Sequence, residues 1–167
     1  MTNLTTDLGS WDGKSTAVLH AIYERHSADA DFLPTILAHL VDVDLQRAST
    51  WLLKRHLELG NSLSAAECRS VLGSLAAQED WESKLHVLQC LPWLSVAEED
   101  REGLEAFLDA CVRSDRKFAR AWAYNGFNEL ALRFPQYREA VDELLARASE
   151  SEAASVRARI RNLRKRR

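Results

Sequence analysis

The stretch that decides the fold is Phe32–Leu57, FLPTILAHLVDVDLQRASTWLLKRHL. Leu33, Ile36, Leu37 and Leu40 share one helical face, so the spacing predicts a helix over 32–41 with a buried stripe. Asp42 and Asp44 mark a turn, and a second helix opens at Gln46–Arg47. The pattern then returns three times. Stepping from Arg47, a basic residue recurs at Lys84, Arg120 and Arg157, at intervals of 37, 36 and 37 residues. Five residues before each stands an acid: Asp42, Glu79, Asp115 and Glu152. Ten after the first three stands a leucine: Leu57, Leu94 and Leu130. Ahead of each turn lies an apolar pair, Leu37/Leu40, Leu72/Leu75, Leu108/Cys111 and Leu145/Ala148. Such a period indicates stacked units, each burying its apolar side only against its neighbours.

These residues resemble the HEAT repeat. Leu33-Pro34 open a helix, Asp42 sits in the turn, Arg47 opens the second helix and Leu57 lies near its end. The likeness spans roughly residues 31–166 and is best in the first and third units, the latter from Ser114-Asp115 to Arg120. The second unit departs from it, with Lys84 for the arginine and Pro92-Trp93 inside its second helix. The resemblance implies an all-α fold: a right-handed α-α superhelix, a HEAT-like solenoid of about nine helices. They form four helix pairs plus an N-terminal capping helix. It also implies that Asp42, Asp115, Arg47 and Arg120, with Lys84 in the arginine's place, form a structural ladder along the stack.

Residues 1–13 show no period and are expected to be flexible; 14–167 form a single solenoid domain ending in a basic helix. Ser15–His26 reads as the capping helix, with Ser15 at its N-cap and Val18, Leu19 and Ile22 inward. Asp31 is the expected cap of the next helix, and Pro34 falls in its opening turn. Gly60 ends the second helix, and Ser64 with Glu67 forms a capping-box signature. Pro92 breaks the helix that starts at Asp80. The remaining helices are expected at 97–114, 117–134, 137–149 and 153–166.

Apolar residues make up 46% and charged residues 28%, the composition of a globular chain. Six glycines and three prolines are too few for the many tight turns of an all-β fold. Cys68, Cys90 and Cys111 are odd in number and lack CxxC spacing, so they read as reduced thiols packed as small apolar residues. No apolar run reaches membrane-spanning length, and no basic segment followed by an apolar run opens the chain. The expected location is cytoplasmic. The net charge of −3 hides an asymmetry. Residues 1–152 carry 15 basic and 25 acidic residues, whereas 153–167 carry seven basic residues and no acid. Such an end suits an acidic partner or a phosphate backbone. As a plain helix terminus, its cations complement the helix dipole.

No GxSxG, P-loop or Rossmann glycine pattern is present. The five histidines, His20, His26, His39, His56 and His86, show no metal spacing. No catalytic residue, metal or cofactor is assigned, and the chain reads as a non-enzymatic interaction or scaffold module. In HEAT-like stacks the second helices line a concave surface. Positions four, five and eight past each basic anchor are expected to face that groove. Four past are Trp51, Leu88, Tyr124 and Arg161; five past are Leu52, Gln89, Asn125 and Asn162; eight past are Arg55, Pro92, Asn128 and Lys165. The expected partner site is therefore Trp51, Arg55, Gln89, Tyr124, Asn125, Asn128, Arg161 and Asn162, holding a protein or peptide on aromatics and amides. The alternative is nucleic-acid binding, with base-excision chemistry like that of HEAT-like DNA glycosylases. Arg157, Arg159, Arg164, Lys165, Arg166 and Arg167 would then meet phosphate, although the acidic body opposes it. Self-association through an uncapped end of the stack is a third expectation.

Overall fold

The computed structural model describes residues 3–165. Among them lie ten α-helices, five short 3-10 segments and no strand. The α-helices are α1 (Leu4–Gly9), α2 (Thr16–His26), α3 (Phe32–Ala38), α4 (Gln46–Glu58), α5 (Ala65–Gly73), α6 (Trp81–Cys90), α7 (Arg101–Val112), α8 (Lys117–Arg133), α9 (Arg138–Ser151) and α10 (Ala154–Lys165). The 3-10 segments His39–Val41, Leu75–Ala77 and Leu91–Trp93 close α3, α5 and α6; Glu98–Asp100 and Pro135–Tyr137 open α7 and α9. The all-helical expectation holds. The nine anticipated helices correspond to α2 through α10, and α1 is additional, inside the stretch expected to be flexible. Asn3 caps it: its Oδ1 accepts from the Thr6 N–H at 2.8 Å and from the Thr6 hydroxyl at 2.9 Å. Leu4 and Leu8, one turn apart, are buried. Two apolar residues in six positions are too few to reveal a period in sequence.

The chain divides into two compact units, one up to Ser95 and one from Val96 on. In the first, α4 packs against α2, α3 and α6. Its core gathers Leu19 and Ile22 from α2, Phe32 and Ile36 from α3, Leu52, Leu53 and Leu57 from α4, and Val87 and Leu88 from α6. Ser15 caps α2 by accepting from the Val18 N–H, and Ser64 and Glu67 form the reciprocal capping box on α5. Gly60 follows α4 at φ +89°, the left-handed conformation that glycine adopts without a Cβ penalty. Asp31 does not cap α3. Its backbone is helical, φ −93° and ψ −1°, whereas a capping side chain reaches back from an extended residue.

Two glutamines stitch the turns of consecutive pairs. Gln46 is fully buried. Its Oε1 accepts from the backbone N–H groups of Glu79 at 2.8 Å and Asp80 at 3.3 Å, and its Nε2 donates to the Ala77 carbonyl at 3.4 Å. Gln78 returns the contact, donating from Nε2 to the Leu40 carbonyl at 2.7 Å. Buried backbone groups in turns need such partners, so these amides fix the register between the first pair and the second.

In the second unit α8 packs against α7, α9 and α10. From Ala119 to Ala131 it is buried around most of its circumference, with Ala, Gly and Asn interleaved among Tyr124, Phe127 and Leu130. Leu104, Leu108 and Cys111 of α7, Val141 and Leu145 of α9, and Val156 and Ile160 of α10 are likewise buried. All three cysteines are buried thiols outside any disulfide among the described residues. Burial pushes the Cys90 thiol far above its ordinary range, which keeps it a neutral thiol.

Candidate functional site

Two of the four basic anchors, Arg47 and Arg120, find an acid one repeat ahead. Arg120 Nε donates to both carboxylate oxygens of Glu152, at 3.0 and 3.2 Å, and Nη2 adds a bond to Oε2 at 3.1 Å. Its Nη1 donates to the Ser114 carbonyl at 2.9 Å, and the Tyr124 hydroxyl donates to Glu152 Oε1 at 3.1 Å. Burial works to raise the Glu152 carboxyl, but Arg120, the Ala153 N–H and Tyr124 outweigh it and hold it below its usual range. Burial, then Glu152, pushes the Tyr124 phenol up to about 12. Arg47 Nε lies 2.9 Å from Glu82 Oε2, and its guanidinium covers Trp11. The expected acids are elsewhere. Asp42 accepts the Asp44 N–H, and Asp115 is exposed beside Arg116. Among the described residues neither makes an ion pair with Arg47 or Arg120, and Lys84 makes none at all. The bidentate geometry of Arg120 on Glu152 is that of a fixing contact.

The expected groove needs correcting at several positions. Leu52 and Leu88 are fully buried, and Tyr124, Asn125 and Asn128 are 6%, 9% and 7% exposed. Trp51 is half-buried, with its ring edge-on to His20 at 4.8 Å between centroids. Arg55 and Gln89 are half-buried; Pro92, Arg161, Asn162 and Lys165 are exposed. The assumed phase fails because α4 and α8 pack against several helices at once. Their inward positions cover most of the circumference, not one narrow stripe.

What α8 does expose is a different row. Phe118 is 68% exposed and Leu132 60%; with half-buried Trp122 and Glu129 they fall at i, i+4, i+11 and i+14, on one side of the helix. The Arg159 guanidinium from α10 lies 3.9 Å from the Trp122 ring centroid, a cation–π stack worth about 0.5–2 kcal/mol. Trp122 and Arg159 sit 37 residues apart, equivalent positions in consecutive second helices. Phe118 was legible by comparison of repeats. Two residues before each anchor stand Leu45, Glu82, Phe118 and Ser155, every one half-buried or exposed. An aromatic there has no core to fill.

The basic cluster of α10 divides around the helix. Val156, Ile160 and Leu163 form its buried stripe. Arg159 turns toward α8, whereas Arg157, Arg161, Arg164 and Lys165 share a separate face at i, i+4, i+7 and i+8. Arg161, Arg164 and Lys165 are exposed and make no ion pair among the described residues. Arg166 and Arg167 lie outside the described residues. Each histidine has a local contact: His20 with Trp51, His26 with Asp7 and Asp29, His39 with Thr5, His56 with Tyr23, and His86 with Thr50. Among the described residues no metal-binding cluster forms, and no helix is long and apolar enough to cross a membrane.

Fold and surface together define an all-helical protein with an aromatic-and-cation face on α8 and α10. No family model, curated protein or solved structure matches the chain.

Proposed function

We propose that this chain is a non-enzymatic protein-interaction module, a short HEAT-like solenoid that holds a protein partner along its second helices. The four-fold period and the cross-repeat contacts of Gln46, Gln78 and Arg120 support the solenoid reading. The observation that carries the interaction is Phe118, left in solvent one turn from Trp122 and its Arg159 stack. Aromatic and arginine side chains in such a cluster are the residue types that dominate interface energies. The test is capture from lysate by the wild type and by Phe118→Ala/Trp122→Ala, with nuclease present. Truncating so exposed a phenylalanine changes stability by about 0.5 kcal/mol or less. A protein retained by the wild type and reduced at least tenfold by a folded variant supports the reading. An identical retained set from both chains overturns it.

The exposed cations Arg161, Arg164 and Lys165, without an ion pair among the described residues, favour nucleic-acid binding as a second reading. Three phosphate contacts would give a log–log salt slope of about −2.7 on duplex DNA. Arg161→Ala/Arg164→Ala/Lys165→Ala should abolish both binding and slope; binding that survives the triple change excludes this face.

A further inference from the structure

In the first unit the short helix α1 covers a patch of α2 and α3. The helix α1 is six residues long and rests on α2 and α3. Its apolar contribution is Leu4 and Leu8, both buried. Its polar contribution is specific. Asp7, 7% exposed, accepts from Arg25 Nη1 at 2.6 Å, and its Oδ2 lies 2.8 Å from His26 Nε2. His26 is held from its other side by Asp29, with Nδ1 3.2 Å from the carboxylate. Thr5 Oγ1 meets His39 Nε2 at 2.9 Å. The tether behind α1 donates from the Trp11 N–H to the Leu8 carbonyl and also has bonds of its own. Trp11 Nε1 donates to the Ser15 carbonyl, the Asp12 carboxylate accepts from the Lys14 and Ser15 N–H groups, and Gly13 turns at φ +72°.

We propose that the α1 seat on α2 and α3 is a binding site for a partner's short helix carrying the pattern apolar-x-x-Asp-Leu, which displaces α1. The occupant's chemistry is read from the segment already there. An apolar side chain fills the Leu4 place, a carboxylate three residues on meets Arg25 and His26, and a leucine follows it. A six-residue helix is too short to persist by itself, so its attachment is local and can open without unfolding the core. A cavity of about 280 Å³ lies beside Leu4, lined also by Asn3, Arg25, His26, Asp29, Asp31 and Phe32. A partner with phenylalanine at that position buries more apolar surface than α1 does and competes with it. This inference stands on contacts of the first unit and does not depend on the α8 and α10 face.

The probe is a fluorescent helix-stabilised peptide, NFTTDLGS, read by anisotropy on the full chain. Leu8→Ala and, at constant volume, Asp7→Asn weaken α1 in place; unchanged hydrogen exchange in α2 and α4 certifies that both variants remain folded. Both are expected to bind the peptide at least tenfold more tightly than the wild type. A peptide with Asn for its Asp should bind at least tenfold more weakly, and one with Leu for its Phe several-fold more weakly. Equal binding by wild type and both variants overturns the seat, and equal binding of the Asp and Asn peptides overturns its recognition chemistry. A concentration-dependent doubling of mass in the wild type would make a second copy's α1 the occupant and overturn the partner assignment.

Discussion

At the scale of single residues, burial among the helices changes how readily a side chain takes or gives up a proton. His86 is the clearest case. Burial, followed by the nearby charges of Lys54 and Arg47, lowers its pKa to about 3, while Thr50 Oγ1 sits 3.1 Å from its Nδ1. An unfolded chain binds this proton near pH 6.5, whereas the folded chain refuses it until about pH 3. Between those limits the unfolded state carries the extra proton, so stability falls as pH falls, by up to about 1.4 kcal/mol per unit from this group. Urea unfolding from pH 7 to 4 should therefore show a shallower decline in His86→Gln than in the wild type. Parallel declines would mean that the histidine accepts its proton in the folded state. The sequence shows no metal spacing among the five histidines, and in the structure each has a local contact. It could not name the contacts, because Thr50 and His86 are 36 residues apart and meet only through the stacking of two helices.

At the scale of elements, boundaries were more legible than faces. Ser15, Gly60, the Ser64/Glu67 box and Pro92 mark helix limits by local chemistry, which sequence records directly. Faces were misread where a helix packs on several sides. Asn125 and Asn128 look like groove residues, yet α8 buries them, since polarity says little about exposure inside a crowded helix. The element-to-element contacts were missed for the same reason. Gln46 is an unremarkable residue beside an arginine, but in the structure it serves three backbone groups of the next turn. Replacing it by leucine keeps its bulk and leaves the Glu79 and Asp80 N–H groups without that acceptor. Each buried unpaired group costs about 1–3 kcal/mol. Gln46→Leu should lower the unfolding free energy by about 2–4 kcal/mol in urea titration; a loss below about 0.5 kcal/mol would show that water replaces the amide.

At the scale of the whole molecule, the all-helical class was readable, because apolar residues recur at helical spacing along the chain. The split after Ser95 was not, since the repeat continues across it. Cooperativity can be measured with the cysteines already present. Cys68 and Cys90 are buried in the first unit and Cys111 in the second. Compact units open as cooperative bodies, so in mild urea Cys68 and Cys90 should react with a thiol reagent at one common rate and Cys111 at another. A single rate for all three would show that the chain opens as one body.

The glutamine stitch also bears on how this sequence can drift. Gln46 and Gln78 grip carbonyl and N–H groups, which every residue type but proline supplies in full. The side chains at 77 and 79 are therefore free to change while the bonds persist, whereas the Asp80 carboxylate also caps α6 by accepting from the Glu82 and Ser83 N–H groups. The number of residues between them is not: inserting or deleting one would carry the N–H groups of Glu79 and Asp80 out of reach of the same amide. Descendants of this chain should vary freely at 77 and 79, keep Gln78 and Asp80, and hardly change the length of that turn.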